Sequence, residues 1–207
     1  MPMNGTGAGT RLRRTVGLLI LTLLSVRAAA QDLVLQLDPA RTTIRFTLGA
    51  SLHTVHGTFQ IKTGALRANP ASGKLSGEIV VDATSGETGN GMRDRKMHKE
   101  VLESGRYPEI TFRPDRIDGA VAAQGKSSVK VHGIFSVHGS DHEITLPAEV
   151  DIGADHWIAN AHFTIPYVKW GIKNPSTFFL HVANEVEMDV AVAGTLTRET
   201  STSSPVQ

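Results

Sequence analysis

The sequence predicts an all-β fold: an antiparallel barrel of about eight strands, interrupted by one short helical insertion. Three observations predict it. Apolar and polar residues alternate with period two through most of the chain, which is the mark of strands with one buried and one solvated face. Gly, Pro, Asn and Asp punctuate the alternating runs at short intervals, as hairpin connections require. A single apolar face over so many strands closes most economically on itself, because closure also removes the sheet edges.

In order along the chain, the turn Asp38-Pro39 precedes a first run in which Ile44, Phe46 and Leu48 alternate with Thr43, Arg45 and Thr47. Shorter alternating matches follow at residues 57–62 and 74–82, separated by Asn69-Pro70 and Ser72-Gly73. The pattern then breaks. From Asn90 to Ser104 the stretch NGMRDRKMHKEVLES holds helix formers without alternation, with Asn90 as N-cap, Met97 and Val101 on one face and Gly105 as the stop. It is also the densest run of charge beyond residue 30. Alternation resumes at residues 109–113. Next, Val129, Val131, Gly133, Phe135 and Val137 share a face, and His138-Gly139-Ser140-Asp141 turns the chain. Ile144 and Leu146 lead to Val150 and Ile152; Trp157, Ala159, Ala161, Phe163 and Ile165 follow, then Val186, Met188, Val190 and Val192. One domain spans residues 31–197, and the polar stretch 198–207, RETSTSSPVQ, is expected to be a disordered tail.

Residues 1–30 contain no Asp or Glu but carry Arg11, Arg13, Arg14 and Arg27. A basic cluster, the apolar run VGLLILTLLSV and Ala28-Ala29-Ala30 stand in the order of a secretory signal cleaved after Ala30. The apolar run is shorter than the roughly twenty residues of a permanent span, which disfavours an uncleaved anchor. A periplasmic or secreted protein is therefore expected. The whole chain has 21 Lys and Arg against 20 Asp and Glu, but residues 31–207 have 17 against 20. That acidic balance removes the electrostatic case for nucleic-acid binding. With 0 cysteines there is no disulfide scaffold, thiolate chemistry or acylated-cysteine anchor.

Three stretches carry a likeness to a known family. They are residues 38–59, with TIRFTL and then HGTF; residues 92–112, MRDRKMHKEVLESGRYPEITF; and residues 131–147, VHGIFSVHGSDHEITLP, with a later KWGI at 169–172. In order and spacing the chain resembles the YceI-like family of lipid- or polyisoprenoid-binding exported proteins. The resemblance implies a lipocalin-like barrel of about eight strands that holds a long apolar molecule, an isoprenoid or quinone-like lipid, without chemical change and without a cofactor. Barrel interiors range from filled to hollow, and the residues alone leave both open; the resemblance implies a hollow one. The candidates to face an apolar ligand are Phe46, Phe59, Met97, Phe112, Phe135, Phe163 and Trp170. Arg93, Arg95 and Lys96 are candidates for a polar head group at the mouth; the alternative is a solvated helix face, or an Arg93–Asp94 pair that orders the loop. Transient membrane contact and a homodimer are left open by this role.

The competing reading is a His-dependent metal site or an isomerase- or cyclase-like barrel. Nine histidines invite it. However, His53 and His56 lie at a strand boundary, where residues three apart point to opposite sides. His132 and His138 are about 20 Å apart along an extended strand. His142, His156, His162 and His181 are read as scattered over polar faces and turns. No spaced metal-ligand set and no nucleophile elbow occurs. Glu78, Glu109, Glu143 and Asp151 fall on outward positions, so no convincing inward acid or base is found, and the chain is expected not to be an enzyme.

Overall fold

The structure is a computed structural model that describes residues 31–200, apart from the side chain of Thr200. The expected leader, residues 1–30, and residues 201–207 lie outside the described residues. Nine strands form: β1 (Gln31–Leu37), β2 (Thr43–Leu48), β3 (Val55–Asn69), β4 (Lys74–Glu87), β5 (Glu109–Asp118), β6 (Gly125–Val137), β7 (Ser140–Ile152), β8 (His156–Ile165) and β9 (Val186–Thr200). All pairings are antiparallel, in the order β1-β3-β2-β9-β8-β7-β6-β5-β4, and β3–β4 and β1–β9 pairings close the ring.

Nine strands fill eight positions. β1 and β2 lie end to end between the same two long neighbours. β1 pairs with Ala65–Ala68 of β3 and with Gly194–Thr200 of β9, whereas β2 pairs with Val55–Phe59 and with Glu187–Ala191. A single 3₁₀ turn at Pro39–Arg41 joins them, with the Asp38 carboxylate accepting from Ala40 N–H at 3.0 Å. The expected turn at Asp38-Pro39 is thus a joint in the wall.

The alternation obeys the expected faces. Leu33, Leu35, Leu37, Ile44 and Phe46 are buried inside the ring, as are Trp157, Ile165, Met188 and Val192. Val137 pairs with Ser140 across His138 (φ 53) and Gly139 (φ 75), the two left-handed positions that a tight hairpin tip demands.

Two expectations shift. β9 continues to Thr200, so Arg198 and Glu199 belong to the wall rather than to a tail. Pairing with β1 holds them there, and the Arg67 guanidinium donates to Glu199 at 2.7 Å. The insertion is a short α-helix, α1 (Gly91–Lys96), that runs into a π-turn at Met97–Val101. Asn90 caps it as expected, accepting from the N–H groups of Met92 and Arg93 at 3.1 and 3.2 Å. It does not stop at Gly105. The chain reverses at Glu103, in the left-handed region (φ 46), whose carbonyl accepts from the N–H groups of Arg106 and Tyr107.

Candidate ligand-binding cavity

The ring encloses a cavity of about 650 Å³, within the size range of ligand sites. Small inward residues make the room. Ala159 and Ala161 are successive inward positions of β8 between Trp157 and Phe163, and Ala68 and Ala148 stand on other walls; all line the cavity. Phe46, Phe59, Phe112, Phe135, Phe163 and Met97 line it too. Phe46 and Phe59 meet at 5.4 Å between ring centroids. Gly86 makes space for this corner, since a Cβ there would lie 2.6 Å from the Phe59 ring and 3.0 Å from the Met97 methyl.

The two ends differ. At the end where β1 begins and β9 finishes, the lining is apolar: Leu75, Ile117, Val121, Val129, Ile152 and Trp157. Arg198 staples the loops over that end, donating to the carbonyls of Ala154, Gly153 (2.9 Å) and Ala123 (3.2 Å). Every ionisable side chain of the lining sits at the other end: His53, Arg93, Lys96 and Tyr167. Met92, also in the lining there, is 73% exposed, so the cavity opens at this mouth.

Three segments frame the mouth: residues 49–54, the helical segment, and residues 166–185. The helix start is knotted to the end of β4. Asp94 accepts from Thr88 N–H at 3.0 Å and from its hydroxyl at 2.5 Å, while Arg93 donates to the Thr88 hydroxyl and carbonyl at 2.7 and 3.0 Å. Arg93 and Asp94 therefore order the loop through Thr88 rather than by bonding to each other. His98 anchors the π-turn: Gly86 O accepts from Nε2 at 2.8 Å, and the Ser104 hydroxyl lies 2.9 Å from Nδ1. Ser104 is the buried polar residue among the described side chains. Lys96 reaches across to Pro175 O at 3.0 Å, and Lys173 pairs with Glu100 at 2.9 Å, so the helical segment and the 166–185 segment brace each other.

Several expectations about individual residues change. Trp170 does not line the cavity. It stacks flat on His142 (4.2 Å, 3°) and tilts against Phe135 (5.7 Å), packing against a residue of the lining without entering the lining itself. Arg95 is exposed and off the cavity, because it lies two residues round the helix from Arg93. His142 is not on a polar face. It is in phase with the inward Leu146 and Ala148, its Nε2 is buried without a partner, and burial holds its pKa below the usual histidine value. Its parity in the alternating run was the signal. Tyr167 and Ile172, both buried, join the lining from residues 166–185. The Tyr167 hydroxyl donates to Ala183 O at 2.6 Å, and burial pushes its pKa up to about 12. Tyr167 continues the parity of Phe163 and Ile165 past Pro166, which is how it can be read from the sequence.

Four of the histidines, His132, His138, His156 and His162, lie off the cavity lining and pair with carboxylates. His132 lies between Asp115 (2.7 Å, Nδ1) and Glu143 (2.8 Å, Nε2), and His162 meets Asp189 at 2.7 Å. The two carboxylates of His132 hold opposite ring nitrogens, so the three cannot converge on one ion. Among the described residues no group of three or more His, Asp or Glu side chains is placed to hold a metal. No Asp or Glu lines the cavity.

A closed antiparallel ring with an apolar hollow and one polar mouth defines the class of lipocalin-like, ligand-holding barrels. Within that class, the sequence profile of the YceI-like domain matches residues 35–193, and the chain belongs to this family. No curated protein matches the sequence. Among solved structures, the chain is similar to BcnA of Burkholderia cenocepacia, with TM-score 0.63, 18% identity, and coverage of 77% of this chain and 99% of that one. It is also similar to a polyisoprenoid binding domain from Saccharophagus degradans implicated in plant cell wall breakdown (TM-score 0.56, 15% identity, covering 80% and 98%). A third is the YCEI protein of Campylobacter jejuni (TM-score 0.55, 18% identity, covering 68% and 84%).

Proposed function

We propose that this protein is an exported carrier that holds one long apolar molecule of the isoprenoid or quinone type and releases it unchanged. The observation that carries the reading is the cavity: a hollow of about 650 Å³, apolar throughout its depth and polar only at its mouth. Such a site suits a chain with a polar end. Each buried CH₂ contributes ~0.8 kcal/mol, so each five-carbon isoprene unit contributes ~4 kcal/mol before association costs of roughly 4–15 kcal/mol. Three to five such units reach useful affinity without any specific polar contact. The polyisoprenoid binding domain among its structural relatives supports this ligand class. Lys96 and Arg93 stand where a polar end would emerge, although both already bond to the protein. The leader-like residues 1–30 support export.

Native mass spectrometry of protein purified from its own host tests the carrier. The expected result is a co-purifying lipid of isoprenoid mass, exchangeable for added farnesol or ubiquinone; a protein that carries no lipid and takes up neither would end the proposal. The same spectra test export, since the mature mass should start at Gln31.

A further inference from the structure

The geometry points to the mouth end as a docking face for an anionic lipid bilayer, with Phe178 and Phe179 as its inserted tip. This rests on the carrier reading, because it supplies the surface from which the ligand is drawn. Five large apolar side chains are the most exposed among the described residues, and four of them stand at this one end: Leu52 (78%), Met92 (73%), Phe178 (89%) and Phe179 (86%). They belong to the three segments that frame the mouth.

The aromatic tip is built, not frayed. Phe178 and Phe179 are the two tip residues of a tight loop that Thr177 N–H closes on Leu180 O at 2.9 Å. Tips of this kind ordinarily carry Gly, Asn or Asp. Below them, Asn174 donates to Val182 O (3.1 Å) and accepts from Ser176 N–H (2.8 Å), while the Ser176 hydroxyl accepts from Val182 N–H (2.8 Å). Two rings packed edge to face at 5.0 Å are thus held out by a braced loop, with almost no protein surface against them. Leu52 joins the same patch, since Ser51 N–H donates to His181 O at 2.9 Å and Ala50 bridges Val182.

Charge selects the occupant. Residues 49–54, 88–108 and 166–185 together hold seven Lys and Arg against four Asp and Glu, whereas the rest of residues 31–207 hold ten against sixteen. A basic, aromatic-tipped face on an otherwise acidic body matches an anionic bilayer, where aromatic rings seat at the interface and cations meet head groups. Two copies meeting through this face would set like charges together, which disfavours self-association there.

The test is flotation of the folded protein with vesicles of phosphatidylglycerol and phosphatidylethanolamine, and with vesicles of phosphatidylcholine alone. The wild type should float with the first, more weakly with the second, and lose the difference at high salt. Phe178→Ser with Phe179→Ser should weaken flotation about tenfold or more while leaving farnesol uptake in solution unchanged, since neither ring lines the cavity. Absent wild-type flotation, or equal flotation of the double variant, overturns the docking face. If the double variant instead abolishes a dimer and flotation is absent, the face belongs to a second copy and the proposal is overturned. Flotation that persists in a protein unable to take up any isoprenoid would sustain the docking face and sink the carrier.

Discussion

Ala159→Phe separates a hollow barrel from a packed one. Ala159 faces inward at mid-height on β8, pairs with Val150 and Val192, and shares the cavity lining with both. A phenyl ring added there takes about the space of one isoprene unit. If the ligand loses all five carbons of burial, ~4 kcal/mol disappears; if it slides toward the mouth and loses half, ~2 kcal/mol does. Affinity should therefore fall roughly 30- to 1,000-fold. Stability should move the other way or not at all, because the ring enters empty space and buries its own apolar area. In a filled core the same change would cost about 1–3 kcal/mol by overpacking, a drop of roughly 2–12 °C in Tm for a domain of this size. Calorimetric titration with farnesol and thermal unfolding by circular dichroism read the two quantities. Unchanged affinity in a folded variant, or a Tm loss in the overpacking range, would refute the reasoning.

Other predictions concern the frame. Hydrogen bonds from Asp115, then Glu143, hold the His132 pKa above its usual value, as Asp189 does for His162. Their stabilisation is present in full below about pH 6.5 and is lost as pH rises through the higher folded-state values; urea unfolding from pH 6 to 8.5 should show that decline, and His132→Gln with His162→Gln should flatten it. Ser104→Ala deprives the half-buried His98 Nδ1 of its partner and should cost about 0.5–1.5 kcal/mol in the same assay. Asn90→Ala removes the cap of α1, a loss of about 0.5–2 kcal/mol; hydrogen exchange should speed at Met92 and Arg93 and stay unchanged in β6 and β7.

The sequence made some parts of this molecule plain and hid others for identifiable reasons. In β6, β7 and β8 the register runs without interruption, so Phe135, Leu146 and Phe163 could be assigned to the inside from period two alone. β3 and β5 run further than their alternation shows. A register shift between Ile61 and Thr63 changes the inward parity, from Phe59 and Ile61 to Leu66 and Ala68, and another between Pro114 and Arg116 moves it from Phe112 to Ile117. Bulges of this kind erase the alternation on which the reading depends. Beyond Tyr167, the 166–185 segment contributes Ile172 and Leu180 to the cavity from irregular backbone, which has no period to read. That β1 and β2 occupy one place in the ring is a matter of pairing partners far apart in sequence, and no local pattern reports it.

That shared place has a temporal consequence. β1 at the front of the domain pairs with β9 at its back, Gln31 opposite Thr200, and β2 meets the same strand. Closing a loop that spans the whole domain carries a large entropic cost, and contacts of such sequence separation form late. Until the last fifteen residues of the wall, Val186–Thr200, have left the ribosome, neither of the first two strands can acquire its second neighbour. The barrel therefore cannot shut before β9 is available. Until β9 pairs with both β1 and β2, the ring is an open sheet with two free edges, and the hollow that would hold a ligand does not yet exist.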